Sequence, residues 1–368
     1  MKPASILGQI LDLARWAPSG DNSQPWRFEI VDELKVVIHG FDTRDHCVYD
    51  LDGWPSQVSL GALLETMSIA ASGQGLAMKS LRRAGMPDTN PTFDVEFVPD
   101  AACRADSLVA CITQRSVQRR PMSSRALTPQ ERQALEASVG HEHRIVWLEG
   151  FGERFRVARL MFNNAKLRLT MPEAYTVHRD IIQWNARFSQ DRVPDQALGI
   201  DPLTSRLMRW ALESWSRVDF LNTYLAGTLA PRVQMDLIPG LACAAHFLIK
   251  AKARPRSIDD FVAGGRAVQR FWLTTTQLGL FQQPEMTPLI FSSYVRNRIP
   301  FTRLTKLQDL ARELEAATKK VVGSDVDHAV WMGRLGAGAA PRARSTRRPL
   351  DQLMHAQAPP RPTTSPQA

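Results

Sequence analysis

Apolar residues Ile6, Ile10, Leu13 and Ala14 recur at steps of three and four behind Ser5, which predicts a first helix capped by Ser5 and finished before Pro18. The run Arg27 to His39 is rich in strand-forming residues with uneven alternation, so one or two strands are expected, interrupted near Glu33. From Val58 to Met78 a long apolar pattern of Ala, Leu and Met carries Gly73 and Gly75 near its end and predicts a central buried helix stopped by glycine. Phe93 to Val98 alternates as a short strand. An Arg-rich loop follows from Arg115. A helix is then expected from Thr128-Pro129, with Glu131 at capping-box spacing, and a strand over Arg144 to Leu148. Residues from about 151 to 235 read as long amphipathic helices, and Trp184, Trp210 and Trp215 are expected in the core there.

The longest apolar run, Leu237 to Ile249, has 13 residues and carries Pro239 and His246. It falls short of the roughly 18–20 residues that span a bilayer and reads as a buried core helix. Its overlap with GLACAAHFLIKAKARP also reads as a strand-like run. With AVQRFWLTTTQLGL behind it, that stretch repeats the first half: SLGALLETMSIAASGQGLAM and AGGRAVQRFWLTTTQLGLFQQP each hold a small-residue apolar helix that ends at Gly-Leu. An internal duplication is expected. The opening MKPASILGQILDLARW contains Asp12 and Arg15 and lacks the pattern of a secretory signal, so a cytoplasmic location is expected.

At 368 residues the chain has room for two or three modest domains or one large one, and 44% hydrophobic with 23% charged residues excludes disorder throughout. Cys47, Cys103, Cys111 and Cys243 form no CxxC pair and are expected to be free thiols. The net charge of +9 raises nucleic acid as a partner, but the excess is local. Six Arg stand against Asp106 and Glu131 between Arg104 and Arg132, and six more against Asp351 from Arg334 onward. Those clusters read either as two anion sites or as solvated loops.

No GxGxxG, GxxxxGK[ST], HExxH or GxSxG string occurs, which lowers dinucleotide-fold, P-loop and hydrolase readings. His141-Glu142-His143 lacks a third ligand, and no metal is expected. The loop Pro18 to Trp26 sets Ser19, Asn22 and Gln24 between two prolines. It reads as a rigid polar ledge suited to the edge of a flat heteroaromatic ring, or as an Asx-rich turn.

ARWAPSGDNSQPWRFEI resembles the APSxxNxQPW segment of the nitroreductase superfamily, whose members are FMN-dependent oxidoreductases of the α+β class. Arg115-Ser116-Val117-Gln118-Arg119 resembles that family's RxSxR phosphate element, with Val117 where a hydroxyl residue is usual. Gly333-Arg334 with Arg342, Arg344, Arg347 and Arg348 is similar to its basic tail, and Gln283-Pro284 to the loop beside the flavin ring. The order of these strings resembles the long single-chain members, in particular the nitroreductase-type domain fused to E1-like adenylyltransferases.

The resemblance implies an α+β nitroreductase-like pseudo-dimer fused in one chain. Its first half would cover 1–114 and its second half 115–340, with a helical lid at about 151–235 and a basic tail over 341–368 whose end is disordered. It implies FMN held by Pro18, Ser19, Gly20, Asn22, Gln24, Arg115, Ser116, Val117, Arg119, Gln283, Pro284, Arg344, Arg347 and Arg348, with no catalytic side chain assigned. Hydride would pass between NAD(P)H or an organic small-molecule substrate and an acceptor. A non-catalytic flavin holder is the alternative, and a binding module using the basic tail a third reading. Nucleic acid and membrane are not expected as partners, and a monomer or homodimer is.

Overall fold

The computed structural model describes residues 5–355. Helix α1 (Ile6–Ala14) begins where Ser5 Oγ accepts from the Gly8 N–H at 3.1 Å. Of the one or two strands expected around Glu33 there are two, β1 (Trp26–Ile30) and β2 (Lys35–Gly40), paired as a hairpin. Helix α2 (Trp54–Ser72), β3 (Leu76–Arg82) and β4 (Thr92–Pro99) complete a four-stranded antiparallel sheet in the order β1-β2-β4-β3. The glycine stop at Gly73 is as expected, but α2 starts at Trp54, and Leu76 to Met78 opens a strand rather than ending the helix.

Helix α3 (Pro129–Ser138) carries the Thr128–Glu131 capping box, and β5 (His143–Leu148) follows. A largely helical segment comes next, with α4 (Gly150–Leu169), α5 (Pro172–Ile181), the two-residue strands β6 (Ile182–Gln183), β7 (Phe188–Ser189) and β8 (Val193–Pro194), α6 (Pro202–Ala211), α7 (Trp215–Tyr224), α8 (Leu229–Arg232) and α9 (Ile238–Leu241). Strand β9 (Ala245–Ala251), helix α10 (Ile258–Gln277), β10 (Leu280–Pro284), α11 (Thr287–Asn297), α12 (Thr305–Val322) and β11 (Ala329–Ala337) then build a second antiparallel sheet, β10-β11-β9-β5. Read from β5, its strands come in chain order first, second, fourth, third, which is the order of the first sheet, and each sheet has its long helix between its second and third strands.

The two long helices pack on each other. Sixteen of the 19 residues of α2 are buried, because a helix enclosed on nearly every side has no polar face to spare. Close approach rests on glycine: a Cβ at Gly61 would meet the Val262 carbonyl oxygen at 2.0 Å, and one at Gly265 would meet the Val58 carbonyl oxygen at 2.0 Å. Glu65 binds Arg266 and Arg270 across the same pair, and Gln269 Nε2 donates to Thr66 Oγ1 at 2.9 Å.

Two expectations are corrected. The run Leu237 to Ile249 is not a helix: α9 is one turn, and the rest enters β9. β9 lies between β5 and β11 with six of its seven residues buried, so it shows none of the alternation that marks a half-exposed strand. Trp210 is 44% exposed, and Trp184 and Trp215 are half-buried, because α6 and α7 lie on the outside and α7 buries no residue. The basic tail is ordered as far as it is described. β12 (Arg344–Ser345) pairs with β7, Met354 bridges to Phe28, and Leu353 is fully buried, while the disorder expected at the very end lies outside the described residues.

Candidate functional site

A cavity of about 800 Å³ opens beside the α2–α10 pair. Its wall includes Pro18, Ser19, Gly20 and Asn22 from the loop after α1, and Arg115, Ser116, Val117 and Arg119 from the Arg-rich loop. Gln283 and Pro284 come from β10, and Arg344, Arg347 and Arg348 from the tail. The fold thus brings thirteen of the fourteen candidate residues onto one surface.

The loop is held in a strained shape. Asp21, Asn22 and Gln24 have φ of 50°, 64° and 51°, a region that side chains other than glycine seldom occupy. Distant segments fix it there. Ser19 Oγ accepts from the Gln24 N–H at 2.9 Å, and Asn22 Nδ2 donates to the Thr346 carbonyl at 3.2 Å. Gln24 is the candidate that the structure moves away from the site. It is fully buried behind the loop, donating to the Gln190 carbonyl at 2.9 Å and accepting from the Arg348 N–H at 3.0 Å, so its amide is committed to tying loop, helical segment and tail together. Asn22 Oδ1 and Gln283 Oε1 are buried on the cavity wall without a hydrogen-bond partner among the described residues.

The arginines are the site's main electrostatic feature. Arg115 is 4% exposed, with its guanidinium 4.4 Å from the centre of the Trp272 ring and a single hydrogen bond at 3.2 Å to the Trp16 carbonyl. Arg347 is 7% exposed and donates to the Ala17 carbonyl at 2.9 Å. Arg344 donates to the Thr113 and Arg115 carbonyls at 3.0 and 3.1 Å. The Nε atoms of Arg115 and Arg344 have no partner, and among the described residues no carboxylate pairs with Arg115, Arg119, Arg344 or Arg347. Burial, then Arg344 and Arg15, pulls Arg347 down to about 9. Burial, then Arg347 and Arg344, holds Arg115 well below the usual guanidinium range. Burial also pulls Arg119 to about 10, against the opposing charge of Asp21. Arg348 differs, since Asp191 meets it at 3.2 Å.

Val117 joins the site through its backbone, bridging to Gln282, while the Gln118 N–H donates to the Gln282 carbonyl at 3.0 Å. The missing hydroxyl therefore does not move the loop, and Ser116 offers one beside it. Sequence reasoning missed Glu285, which lines the cavity and binds His246 Nδ1 at 2.7 Å and Arg334 at 2.8 Å. It also missed Tyr49, Arg168, His178 and Asp236 on the same wall. Their sequence positions share no spacing, and only the charge at Glu285, next to the proline of Gln283-Pro284, was a usable signal. Among the described residues no group of three or more His, Cys, Asp or Glu is placed to hold a metal ion, and His141 is exposed. All four cysteines are free, and no helix among the described residues is long and apolar enough to cross a membrane.

No known protein-family description matches this chain, and no curated protein does. Among solved structures it is similar to a nitroreductase-like family protein from Bacillus cereus. That likeness is loose: TM-score 0.34 at 12% identity, over 68% of this chain and 96% of the other. The reading of the site rests on its own residues.

Proposed function

We propose that the chain is an FMN-dependent oxidoreductase of nitroreductase type. The observation that carries this is the set of guanidiniums at Arg115 and Arg347, both buried, and at half-buried Arg344, with no carboxylate partner among the described residues. Like charges desolvated together raise the free energy of the protein, and a phosphate dianion accepting several of their N–H groups reverses that cost. The cavity volume lies within the roughly 300–1,000 Å³ usual for small-molecule sites. Asn22 Oδ1 and Gln283 Oε1 are acceptors in want of a donor, as the edge of a flavin ring and its hydroxylated side chain supply.

In this reading Arg115, Arg344 and Arg347 hold the phosphate, with Arg119 and Ser116 beside them, and the strained loop from Pro18 to Asn22 presents Ser19 and Asn22 to the rest of the ligand. Bound flavin supplies two-electron hydride chemistry, with NAD(P)H or an organic substrate as donor. The protein's part is binding, orientation and exclusion of water. The two sheets of equal strand order and the reciprocal Gly61–Gly265 contact support a fused pair of half-domains with the site between them, which makes the site complete in one chain. A cytoplasmic enzyme acting as monomer or homodimer is consistent with this.

Replacing Arg115 and Arg347 together by Ala is expected to weaken FMN binding at least tenfold, since each charge-assisted hydrogen bond contributes about 1.5–3 kcal/mol. Unchanged FMN affinity in a folded double variant overturns the assignment. A flavin holder without turnover is the second reading, favoured by the side chains of Met208, Leu212 and Leu221 that α6, α7 and the turn between them set on the cavity wall. Anaerobic NADPH and NADH separate the two: bleaching of bound flavin by either indicates a reductase.

A further inference from the structure

One part of the cavity wall belongs to neither the phosphate end nor the loop after α1. Leu169, Met208, Leu212 and Leu221, all from the helical segment, give it an apolar lining. Four polar side chains interrupt that lining. Tyr49 Oη lies 2.8 Å from His178 Nε2, which joins the body of the protein to α5. Burial, reinforced by Arg168, pushes His178 down to about 3, so the ring is neutral, and burial raises the Tyr49 phenol, which keeps its proton. Neither carries charge at neutral pH.

Arg168 does. Its side chain is 17% exposed, and among the described residues its side-chain partners are Asp236 Oδ2, at a long 3.5 Å, and the Tyr49 hydroxyl. A guanidinium has five N–H donors in a planar fork, so two such contacts leave donors over for a ligand. Asp236 meets it through one long contact. Burial pushes that carboxyl up to about 6 even against the attraction of Arg168. A cation with spare planar donors among aliphatic side chains suits a ligand that brings both a carboxylate and apolar bulk.

We propose that Arg168 anchors the carboxylate of an aromatic or similarly apolar monocarboxylic acid, whose hydrocarbon part packs against Leu169, Met208, Leu212 and Leu221. Tyr49 is the neighbouring neutral group able to bond the same carboxylate. That this acid is the reacting partner of the bound flavin rests on the function proposed above; that it binds here does not.

The test uses the full chain, with and without FMN, and 2-naphthoate and 2-naphthamide as probes of equal shape and different charge, measured by calorimetry. The acid is expected to bind at least about tenfold more tightly than the amide, and Arg168→Gln to remove that preference while leaving FMN affinity unchanged. Arg168→Lys, which keeps the charge and loses the fork, is expected to fall between. Met208→Trp fills the apolar wall without changing Arg168 and is expected to weaken both probes alike. No binding of the acid, equal binding of acid and amide, or a full preference retained in Arg168→Gln overturns the proposal. Should the wild-type chain discriminate acid from amide yet bind no FMN, the acid site stands and the flavin reading falls.

Discussion

His246, Glu285 and Arg334 are 0%, 1% and 2% exposed, and Glu285 is the ionic partner of both of the others. Removing one member of such a group leaves a buried charge uncompensated, so Glu285→Ala is expected to lower stability by about 3–5 kcal/mol in urea unfolding. Its pH signature is specific. Burial alone lowers the pKa of His246, but Glu285 outweighs it and raises the ring to about 10. A raised basic group stabilises most below its unfolded value near 6.5, and that contribution is lost as pH climbs through the folded value. The thermal midpoint should therefore fall between about pH 7 and 10 in the wild type, and a Glu285→Gln variant should lose that dependence. Arg115 and Arg347 are the opposite case, buried cations without a counter-ion among the described residues. Inorganic phosphate is expected to raise the midpoint of the FMN-free protein, by linkage, and Arg347→Ala to abolish the rise. Of these residues the sequence disclosed the arginines, because they cluster along the chain. It hid His246 and Glu285, which stand 39 positions apart and meet only through the sheet. Gln24 was misplaced for a related reason: whether a polar side chain faces a ligand or ties down a loop was decided by Gln190 and Arg348, far along the chain.

Among the elements, the starts of α1 and α3 were legible because caps are local, as Ser5 and the Thr128–Glu131 box show, whereas α2, which has no side-chain cap, starts four residues before its expected beginning. β9 was ambiguous, since a strand covered on both faces has the same unbroken apolar run as a core helix. β3 escaped notice: its middle and end are exposed, so LAMKSLR carries little apolar pattern. The helix pair α2–α10 yields a prediction of its own. An added methyl at Gly61 or Gly265 runs into a backbone carbonyl rather than a yielding side chain. Gly61→Ala and Gly265→Ala are each expected to cost about 3 kcal/mol or more, at the upper end of overpacking effects, while Gly20→Ala, with open space around it, is expected to leave stability within about 0.5 kcal/mol. Thermal or urea unfolding of the three variants checks both statements.

For the molecule as a whole, the repeat suspected from two glycine-ended helices corresponds to two sheets of the same strand order with the cavity beside their shared helix pair. The tail arginines were singled out in the sequence, but not the contacts that place them: the tail pairs with β7, buries Leu353 and carries Arg344 and Arg347 to the cavity. Deleting residues 341–368 is expected to lower the thermal midpoint and to abolish FMN binding together, because one segment serves both; loss of neither contradicts that placement. In the proposed function the buried arginines mark a flavin phosphate site. The most direct test is the near-ultraviolet and visible absorbance of the purified chain after incubation with FMN and desalting. The account predicts paired flavin bands at one FMN per chain, lost in the Arg115→Ala, Arg347→Ala double variant. A wild-type protein that emerges colourless, or a folded double variant that keeps its flavin, contradicts it.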